Sequence, residues 1–160
     1  MNFTKKDIKF FDEAIKEANI AYSIGEVPVG AVVVLDNKII SRGYNMKEST
    51  KNPLYHAEIV ALKKASEILG DWRLNHSSLY VTLEPCIMCC GAIIHFRVEK
   101  VFFCLPDEKF GGVISNAHIF DINSLNHRVS YYYGYNEEYI KDLLKSFFRN
   151  LRKPKTSTLN

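Results

Sequence analysis

Four residues of the chain have the types and the spacing of a catalytic metal site with a proton shuttle. His56 lies two residues before Glu58, and Cys86 lies three residues before Cys89. One imidazole and two thiolates would give zinc three protein ligands and leave its fourth tetrahedral position for water. Water bound there falls in pKa from about 15.7 to about 7, so hydroxide becomes available at neutral pH. The spacing therefore predicts a zinc hydrolase in which Glu58 moves the protons.

The metal residues fall where two helices are predicted to begin. A predicted strand over residues 78–82 is followed by Pro85, a residue that favours the first position of a helix. In that helix the two cysteines are at i and i+3, so their sulfurs share one face, and the helix N-terminus lowers thiol pKa. We expect His56 and Glu58 to converge beyond the start of their own helix, because helical side chains tilt toward the N-terminus.

Each motif taken alone has a less specific interpretation. A Cys-x-x-Cys pair is often buried as two small hydrophobic residues, and a His-x-Glu pair is less specific still. A structural zinc site would need a fourth ligand, for which Cys90 is the nearest candidate. Its side chain points about 100° away from that of Cys89 around the helix, so we expect it to pack inside. The combined motifs favour catalytic zinc.

The motifs resemble those of a known enzyme family. His-Ala-Glu at residues 56–58 and Pro-Cys-x-x-Cys at residues 85–89 are similar to the zinc nucleobase deaminases. Further blocks resemble bacterial tRNA-specific adenosine deaminases, and they cover residues 26–32, 43–45, 52–53, 56–59, 79–86 and 125–129. The resemblance implies a three-layer α/β/α fold of the cytidine-deaminase type, with a central, mainly five-stranded mixed sheet.

The resemblance also implies roles for individual residues. In the family, one zinc ion per subunit is held by a histidine and two cysteines, which implies His56, Cys86 and Cys89 here. The glutamate that shuttles protons is Glu58. The residues expected to bind substrate are Asn45, Ala57, Asp107, His127, Phe148 and Arg149.

Residue type alone leaves other roles open for this substrate-binding set. Asn45 and Asp107 also suit turns. His127 also suits a structural role, and Phe148 also suits the core. The sequence departs from the family pattern at Cys90, Pro106 and Phe110, where relatives often have alanine, arginine and a smaller polar residue. The last two lie in the loop expected beside the RNA.

The implied function is hydrolytic deamination of adenosine to inosine at the wobble position of an arginine tRNA anticodon. The resemblance further implies a homodimer. One alternative is deamination of a free base or nucleotide such as guanine, cytosine or dCMP, because those enzymes share the metal core. A second alternative is a non-catalytic RNA-binding subunit, which the presence of Glu58 disfavours.

Length and composition fit one catalytic domain. A chain of 160 residues, 47% of them hydrophobic, can bury one sizeable core. We place the domain at residues 1–153 and expect a disordered tail at residues 154–160. No apolar run reaches about 18 residues and no signal peptide is recognisable, so we expect a cytoplasmic protein without a membrane partner. Four cysteines without a disulfide framework also suit a reducing compartment.

Positive charge is concentrated at the C-terminal end. The 18 residues after Asp142 contain five basic residues and no acidic one, and the chain as a whole has a net charge of +3, so the remainder has −2. Such a segment suits contact with phosphates, and the alternative is a solvated helix face. Together with the resemblance, it favours the tRNA anticodon loop as the partner.

The remaining pattern predicts alternating helices and strands. A first helix is capped by Thr4 and Asp7, and a hairpin turn at Asp36-Asn37 joins strands 29–35 and 38–44. Further strands are predicted at residues 100–104 and 128–133, and further helices at residues 86–96 and from 137 to about 153. The residues expected to face inward are Ile59, Leu62, Ser66 and Leu69 in the His56 helix and Ile140, Leu143, Leu144, Phe147 and Phe148 in the last one.

Overall fold

The computed structural model describes residues 2–152 as five strands and five α-helices around one sheet. The strands are β1 (Gly30–Leu35), β2 (Lys38–Tyr44), β3 (Ser78–Leu83), β4 (Lys100–Leu105) and β5 (Ser130–Tyr133). The helices are α1 (Lys5–Ser23), α2 (Lys47–Thr50), α3 (Ala57–Leu69), α4 (Ile87–His95) and α5 (Glu137–Leu151), with a 3-10 turn at Ile119–Asp121. The tail predicted at residues 154–160, and the domain end at residue 153, lie outside the described residues.

The sheet is mixed, as the sequence predicts. Its strand order is β2-β1-β3-β4-β5. β1 runs antiparallel to both β2 and β3, whereas β3, β4 and β5 are parallel to one another. The β1–β2 turn uses Asp36 and Asn37 with φ of 50° and 59°, the left-handed conformation that a two-residue hairpin turn requires. Because β3 and β4 are parallel, their carboxyl ends and the loops that follow them lie at the same edge.

Helices cover both faces of the sheet, which confirms the three-layer prediction. Val32 and Val34 of β1 point toward α1 and α5, where they pack in a cluster with Phe11 and Ile140. On the other face of the sheet, Ala31 and Val33 of β1 pack against α3 and α4. This alternation is the period of two that a strand imposes on its side chains. None of the helices in residues 2–152 is both long and apolar enough to cross a membrane.

The capping prediction for α1 is confirmed. The Thr4 amide donates to the Asp7 carboxylate at 2.8 Å, and the Asp7 amide donates to the Thr4 hydroxyl at 3.2 Å. These reciprocal bonds satisfy two of the amides that a helix start leaves without a partner. The hydroxyl of Tyr80 in β3 also donates to Asp7, at 2.7 Å, which ties the start of α1 to the sheet.

The predicted inward face of α3 is wrong at one position. Leu62 is buried, and Ile59 and Ser66 are half-buried, but Leu69 is 40% exposed. The fully buried residues of this helix are Ala57, Glu58, Val60, Ala61, Leu62 and Ala65. Small side chains let α3 lie directly on β2, where a Cβ atom at Gly43 would be 2.5 Å from the carbonyl oxygen of Ala57. Three alanines that the apolar pattern did not single out therefore form half of the buried face of α3.

The predicted inward face of α5 is wrong at one position. Ile140 and Phe147 are buried, and Leu143 and Leu144 are half-buried, but Phe148 is 45% exposed. Adjacent helical residues point about 100° apart, so burial of Phe147 turns Phe148 away from the core. Phe148 is therefore available to the cavity described below.

Candidate active site

Two helix starts meet where the parallel strands end. His56 precedes the first residue of α3, and Cys86 precedes the first residue of α4; both have extended backbones, with ψ of 155° and 172°. The predictions that Pro85 opens α4 and that His56 lies inside α3 are therefore wrong by one or two residues. The side chains of these flanking residues project past the helix ends, which brings the imidazole toward the Cys86 and Cys89 sulfurs.

The three predicted metal ligands converge. Nδ1 of His56 lies 3.6 Å from Sγ of Cys86 and 3.6 Å from Sγ of Cys89. All three ligand atoms lie within 4.8 Å of one another. A tetrahedral zinc ion with ordinary Zn–N and Zn–S bond lengths would hold nitrogen and sulfur about 3.6 Å apart. The observed separations of the nitrogen from the two sulfurs therefore fit a metal ion that all three atoms could coordinate.

The cluster has three members in the part of the chain that the structure describes. Cys90 is fully buried, and its thiol points to the carbonyl oxygen of Pro85 at 3.5 Å. The prediction that Cys90 packs inside is therefore confirmed. Three candidate ligands without a fourth among the described residues would leave a tetrahedral metal ion one open coordination position.

The two cysteines of the cluster differ in protonation in the absence of a cation. Hydrogen bonds from Cys89 and from His56 lower the pKa of Cys86 to about 4, although burial acts in the opposite direction. The hydrogen bond to Cys86 and burial raise the pKa of Cys89. One thiolate is thus formed at neutral pH, and a bound divalent cation would remove the second thiol proton.

Glu58 lies beside the cluster in the first turn of α3. It is only 4% exposed, and burial raises its pKa to about 7, with the nearby Cys86 charge acting in the same direction. A carboxyl group with a pKa near neutrality can both take up and release a proton at physiological pH. Its position and its environment suit a proton shuttle.

A cavity of about 1030 Å³ opens over this cluster. It lies between α3, the loops that follow β2 and β4, and one face of α5. Its lining includes His56, Glu58 and Cys86, together with four residues predicted to bind substrate, namely Asn45, Ala57, Asp107 and Phe148. The volume is at the upper end of that of small-molecule sites. The structure thus brings the metal cluster and two thirds of the predicted substrate-binding set to one place.

Comparison with known proteins agrees with this geometry. A family described as MafB19-like deaminase matches residues 5–152. A tRNA-specific adenosine deaminase from Aquifex aeolicus (strain VF5) is 47% identical over 143 residues, which are 89% of this chain and 94% of the relative. Another, from Bacillus subtilis (strain 168), is 43% identical over 150 residues, 94% of this chain and 93% of the relative. This chain belongs to the tRNA-specific adenosine deaminase family.

A solved structure supports the same family at the level of the fold. It comes from a study of A-to-I editing by tRNA:A34 deaminases at the wobble position of transfer RNA. It superposes with a TM-score of 0.83 at 37% identity, and the match covers 86% of this chain and 99% of the other. The cytidine-deaminase-like fold predicted from the sequence is therefore confirmed.

Asn45 reaches the cavity of this deaminase-family chain from the end of β2. It is 7% exposed, and its Nδ2 donates to Glu26 at 3.4 Å. Its Oδ1 is buried and has no hydrogen-bond partner among residues 2–152. Glu26 also accepts hydrogen bonds from the backbone amides of Glu48 at 3.1 Å and Ser49 at 2.6 Å. One buried carboxylate thus holds the segment that carries Asn45.

A second buried carboxylate holds the opposite side of the cavity. Glu84 is 3% exposed and accepts from the backbone amides of residues 107, 113, 114 and 115 at 2.8–3.0 Å, and from the Ser115 hydroxyl. These bonds outweigh the effect of burial and lower the pKa of Glu84. A Cβ atom at Gly111 would overlap this carboxylate, so the loop packs tightly around it.

Asp107 has the turn role that residue type left open, and it also lines the cavity. Its carboxylate accepts from the backbone amides of Lys109 at 3.0 Å and Phe110 at 3.3 Å, which makes it a turn residue. It also lines the cavity, as does Phe110, which is 70% exposed. The departure from the family pattern at Phe110 therefore places a large aromatic surface at the cavity mouth.

His127 and Arg149 are not part of the cavity lining. A His127 ring nitrogen lies 2.6 Å from the carbonyl oxygen of Val98, at the amino end of β4 and thus at the sheet edge opposite the metal cluster. This is the structural position that residue type left open. Arg149 is exposed on α5, next to Phe148.

Sequence reasoning missed the two carboxylates that shape the cavity. Glu26 and Glu84 both occur in blocks that resemble the family, but neither was assigned a role. Each is an acidic residue next to a predicted strand and among apolar neighbours. An acidic residue in an apolar run has to find hydrogen-bond donors when it is buried, and that signal could have indicated them.

Proposed function

We propose that the protein catalyses zinc-dependent hydrolytic deamination of adenosine to inosine at the wobble position of a tRNA anticodon, that of an arginine tRNA. The observation that carries this proposal is that buried Glu58 lines one cavity together with His56 and Cys86, which cluster with Cys89. Membership of the tRNA-specific adenosine deaminase family supplies the substrate class.

His56, Cys86 and Cys89 would hold the zinc ion, one per subunit. When bound, zinc supplies a Lewis acid that lowers the pKa of water and makes a nucleophile available at neutral pH. The donor set supports zinc over magnesium or calcium, because thiolates are soft ligands and those two cations prefer oxygen.

Glu58 is proposed to move each proton of the reaction. An adenosine is unstacked from a single-stranded loop and enters the cavity. Unstacking a base from such a loop costs less free energy than extruding it from a duplex. As the oxygen of water adds to C6, the Glu58 carboxylate takes a proton from the water and delivers it to N1 of the base. Glu58 then carries the second proton of that water to the amine on C6. The C–N bond breaks, and inosine and ammonia result.

The residues proposed to bind the nucleotide divide into two groups. Asn45, Ala57, Asp107 and Phe148 are proposed to contact it within the cavity that they line. Arg149 is proposed to contact RNA phosphates from the exposed surface of α5. His127 lies at the other edge of the sheet, so a contact with a nucleotide in this cavity does not fit its position.

Substrate class is tested by ammonia release. The purified protein is incubated with a synthetic anticodon stem-loop carrying adenosine at the wobble position and, separately, with guanine, cytosine, dCMP and adenosine. We expect release from the stem-loop alone, because the exposed basic residues of α5 suit a polyanion. The same stem-loop with inosine already in place is the control and should release none. Activity confined to the small molecules would contradict the tRNA assignment and support a free-base deaminase.

We also propose that the protein is a homodimer and that it acts in the cytoplasm. The dimer is inferred from the family resemblance, and sedimentation at equilibrium tests it, with an expected mass twice that of the chain. A monomer at micromolar concentration would contradict the dimer. Imaging of the tagged protein in its own cells tests the location.

A further inference from the structure

We propose that Glu26 is a positioning residue that fixes the side-chain amide of Asn45, so that the Asn45 carbonyl oxygen accepts a hydrogen bond from the 2′-hydroxyl of the target nucleotide. Glu26 would thereby help the site to distinguish RNA from DNA. The inference rests on the proposed function, because it names a substrate contact at the same site.

The surroundings of Glu26 fix the orientation of the amide. Glu26 is 1% exposed, and the groups that reach its carboxylate are N–H donors: the backbone amides of Glu48 and Ser49 and the Asn45 side chain. A carboxylate accepts hydrogen bonds and does not donate them. The NH₂ end of Asn45 must therefore face Glu26, and the carbonyl end must face away from it.

The carbonyl end of Asn45 lacks a donor. Its Oδ1 is inaccessible to solvent and is without a hydrogen-bond partner in residues 2–152, although the residue lines the cavity. A buried acceptor left unpaired is costly, and such groups usually mark a site that a ligand or an ordered water completes. The position of Asn45 therefore indicates a donor on the substrate.

The chemistry of adenosine identifies that donor. N1, N3 and N7 of the base are acceptors, and the amine on C6 is the leaving group, which must lie beside Glu58. Within a polynucleotide the 3′ and 5′ oxygens are esterified and carry no hydrogen. The 2′-hydroxyl is the remaining donor of the target nucleotide, and it is also the group by which a protein can distinguish RNA from DNA.

Three stem-loops that differ only at the target adenosine test the proposal. The sugar carries a 2′-hydroxyl, a 2′-fluorine or a 2′-hydrogen. Fluorine keeps the sugar pucker of RNA but cannot donate a hydrogen bond, so it separates the contact from sugar conformation. For the wild-type protein we expect kcat/KM to be about 10- to 100-fold lower with fluorine and with hydrogen than with hydroxyl.

Two variants and one control assign this preference to the Glu26–Asn45 pair. Asn45→Ala removes the acceptor, so the hydroxyl-to-fluorine ratio should fall to about one. Glu26→Gln can donate as well as accept, so it no longer fixes the amide, and the ratio should fall to a few-fold. Glu17→Gln is the matched control, since Glu17 is also buried, at 9% exposed, but is not part of the cavity lining, and it should keep the wild-type ratio.

The possible results separate this inference from the proposed function. Equal rates for the hydroxyl and fluorine stem-loops with the wild-type protein would overturn the inference while leaving adenosine deamination intact. Retention of the wild-type ratio by Asn45→Ala would also overturn it, and this holds even if Glu26→Gln fails to fold. A wild-type protein that deaminates none of the three stem-loops would contradict the proposed function itself.

Discussion

The floor and the rim of the cavity are built in different ways. On the floor, His56 and Glu58 are two residues apart, and Cys86 and Cys89 are three apart, at the starts of two helices. At the rim, Glu26 holds groups 19 to 23 residues away along the chain, and Glu84 holds groups 23 to 31 residues away. Each pair on the floor is therefore encoded in a short spacing, although the two pairs meet across 30 residues, whereas the rim depends on single buried carboxylates that gather several distant groups.

Removing one of the three proposed zinc ligands should have the largest effect on activity. Cys89 and Cys90 are adjacent and both fully buried, but only Cys89 belongs to the cluster. We expect Cys89→Ala to lose bound zinc and all measurable deamination. Metal analysis of the purified variant and ammonia release from the stem-loop check this.

Cys90→Ala is the matched control for that prediction. It removes a sulfur of equal burial that points to the Pro85 carbonyl oxygen, so it should keep one equivalent of zinc and near wild-type activity. If Cys90→Ala lost zinc as completely as Cys89→Ala did, the assignment of three ligands would be wrong.

Replacing the proton shuttle should slow the reaction without releasing the metal. Glu58→Gln keeps the size of the side chain but cannot carry protons, so kcat should fall by about 10² to 10⁴. Zinc content should match that of the wild type, because Glu58 is not one of the three clustered residues. Substantial turnover by the zinc-loaded variant would rule out the assigned role.

The two short motifs of the floor and the order of the main elements could be predicted because their signals are local, whereas the meeting of the two motifs was implied by the family resemblance. The Thr4–Asp7 cap of α1, the Asp36-Asn37 turn and the period-two strands each depend on neighbouring residues. The Cys-x-x-Cys pair places its sulfurs together wherever a helix begins. These features follow from backbone geometry within a few residues.

The hydrogen-bond partners of the two rim carboxylates could not be predicted, because the tertiary structure determines them. The donors to Glu84 are mainly backbone amides, which every residue other than proline possesses, so no side-chain pattern indicates them. Each of the two predicted inward faces failed at one position, Leu69 in α3 and Phe148 in α5. Helix α3 packs through alanines that an apolar pattern underestimates, and Phe148 is adjacent to the core residue Phe147 without sharing its direction.

Weakening the hydrogen bonds of Glu84 should impair substrate binding and the order of residues 107–115 more than it slows the chemical step. Glu84→Gln replaces an acceptor-only group by an amide with one acceptor oxygen, so several of its backbone donors lose partners. We expect the free energy of unfolding to fall by about 1–3 kcal/mol and hydrogen exchange of residues 107–115 to accelerate. For the stem-loop, KM should rise more than kcat falls, since the metal cluster is untouched.

Glu67→Gln supplies the comparison for that experiment. Its side chain is 60% exposed and makes only a surface ion pair with Lys63, at 3.1 Å, so stability and exchange should change little. Equal effects of the two variants, or unchanged exchange in residues 107–115 of Glu84→Gln, would show that Glu84 does not hold this loop.

The smallest expected effect on activity separates two adjacent aromatic residues of α5. Phe148 is 45% exposed and lines the cavity, whereas Phe147 is 5% exposed and packs near Tyr22. Phe148→Ala should raise KM for the stem-loop about five- to tenfold by removing a surface on which a base can stack, with little change in melting temperature. Phe147→Ala should instead lower the free energy of unfolding by about 3–5 kcal/mol. If Phe148→Ala destabilised the fold as much as Phe147→Ala and left KM unchanged, Phe148 would belong to the core. Helix α5 would then contribute no stacking surface to the cavity.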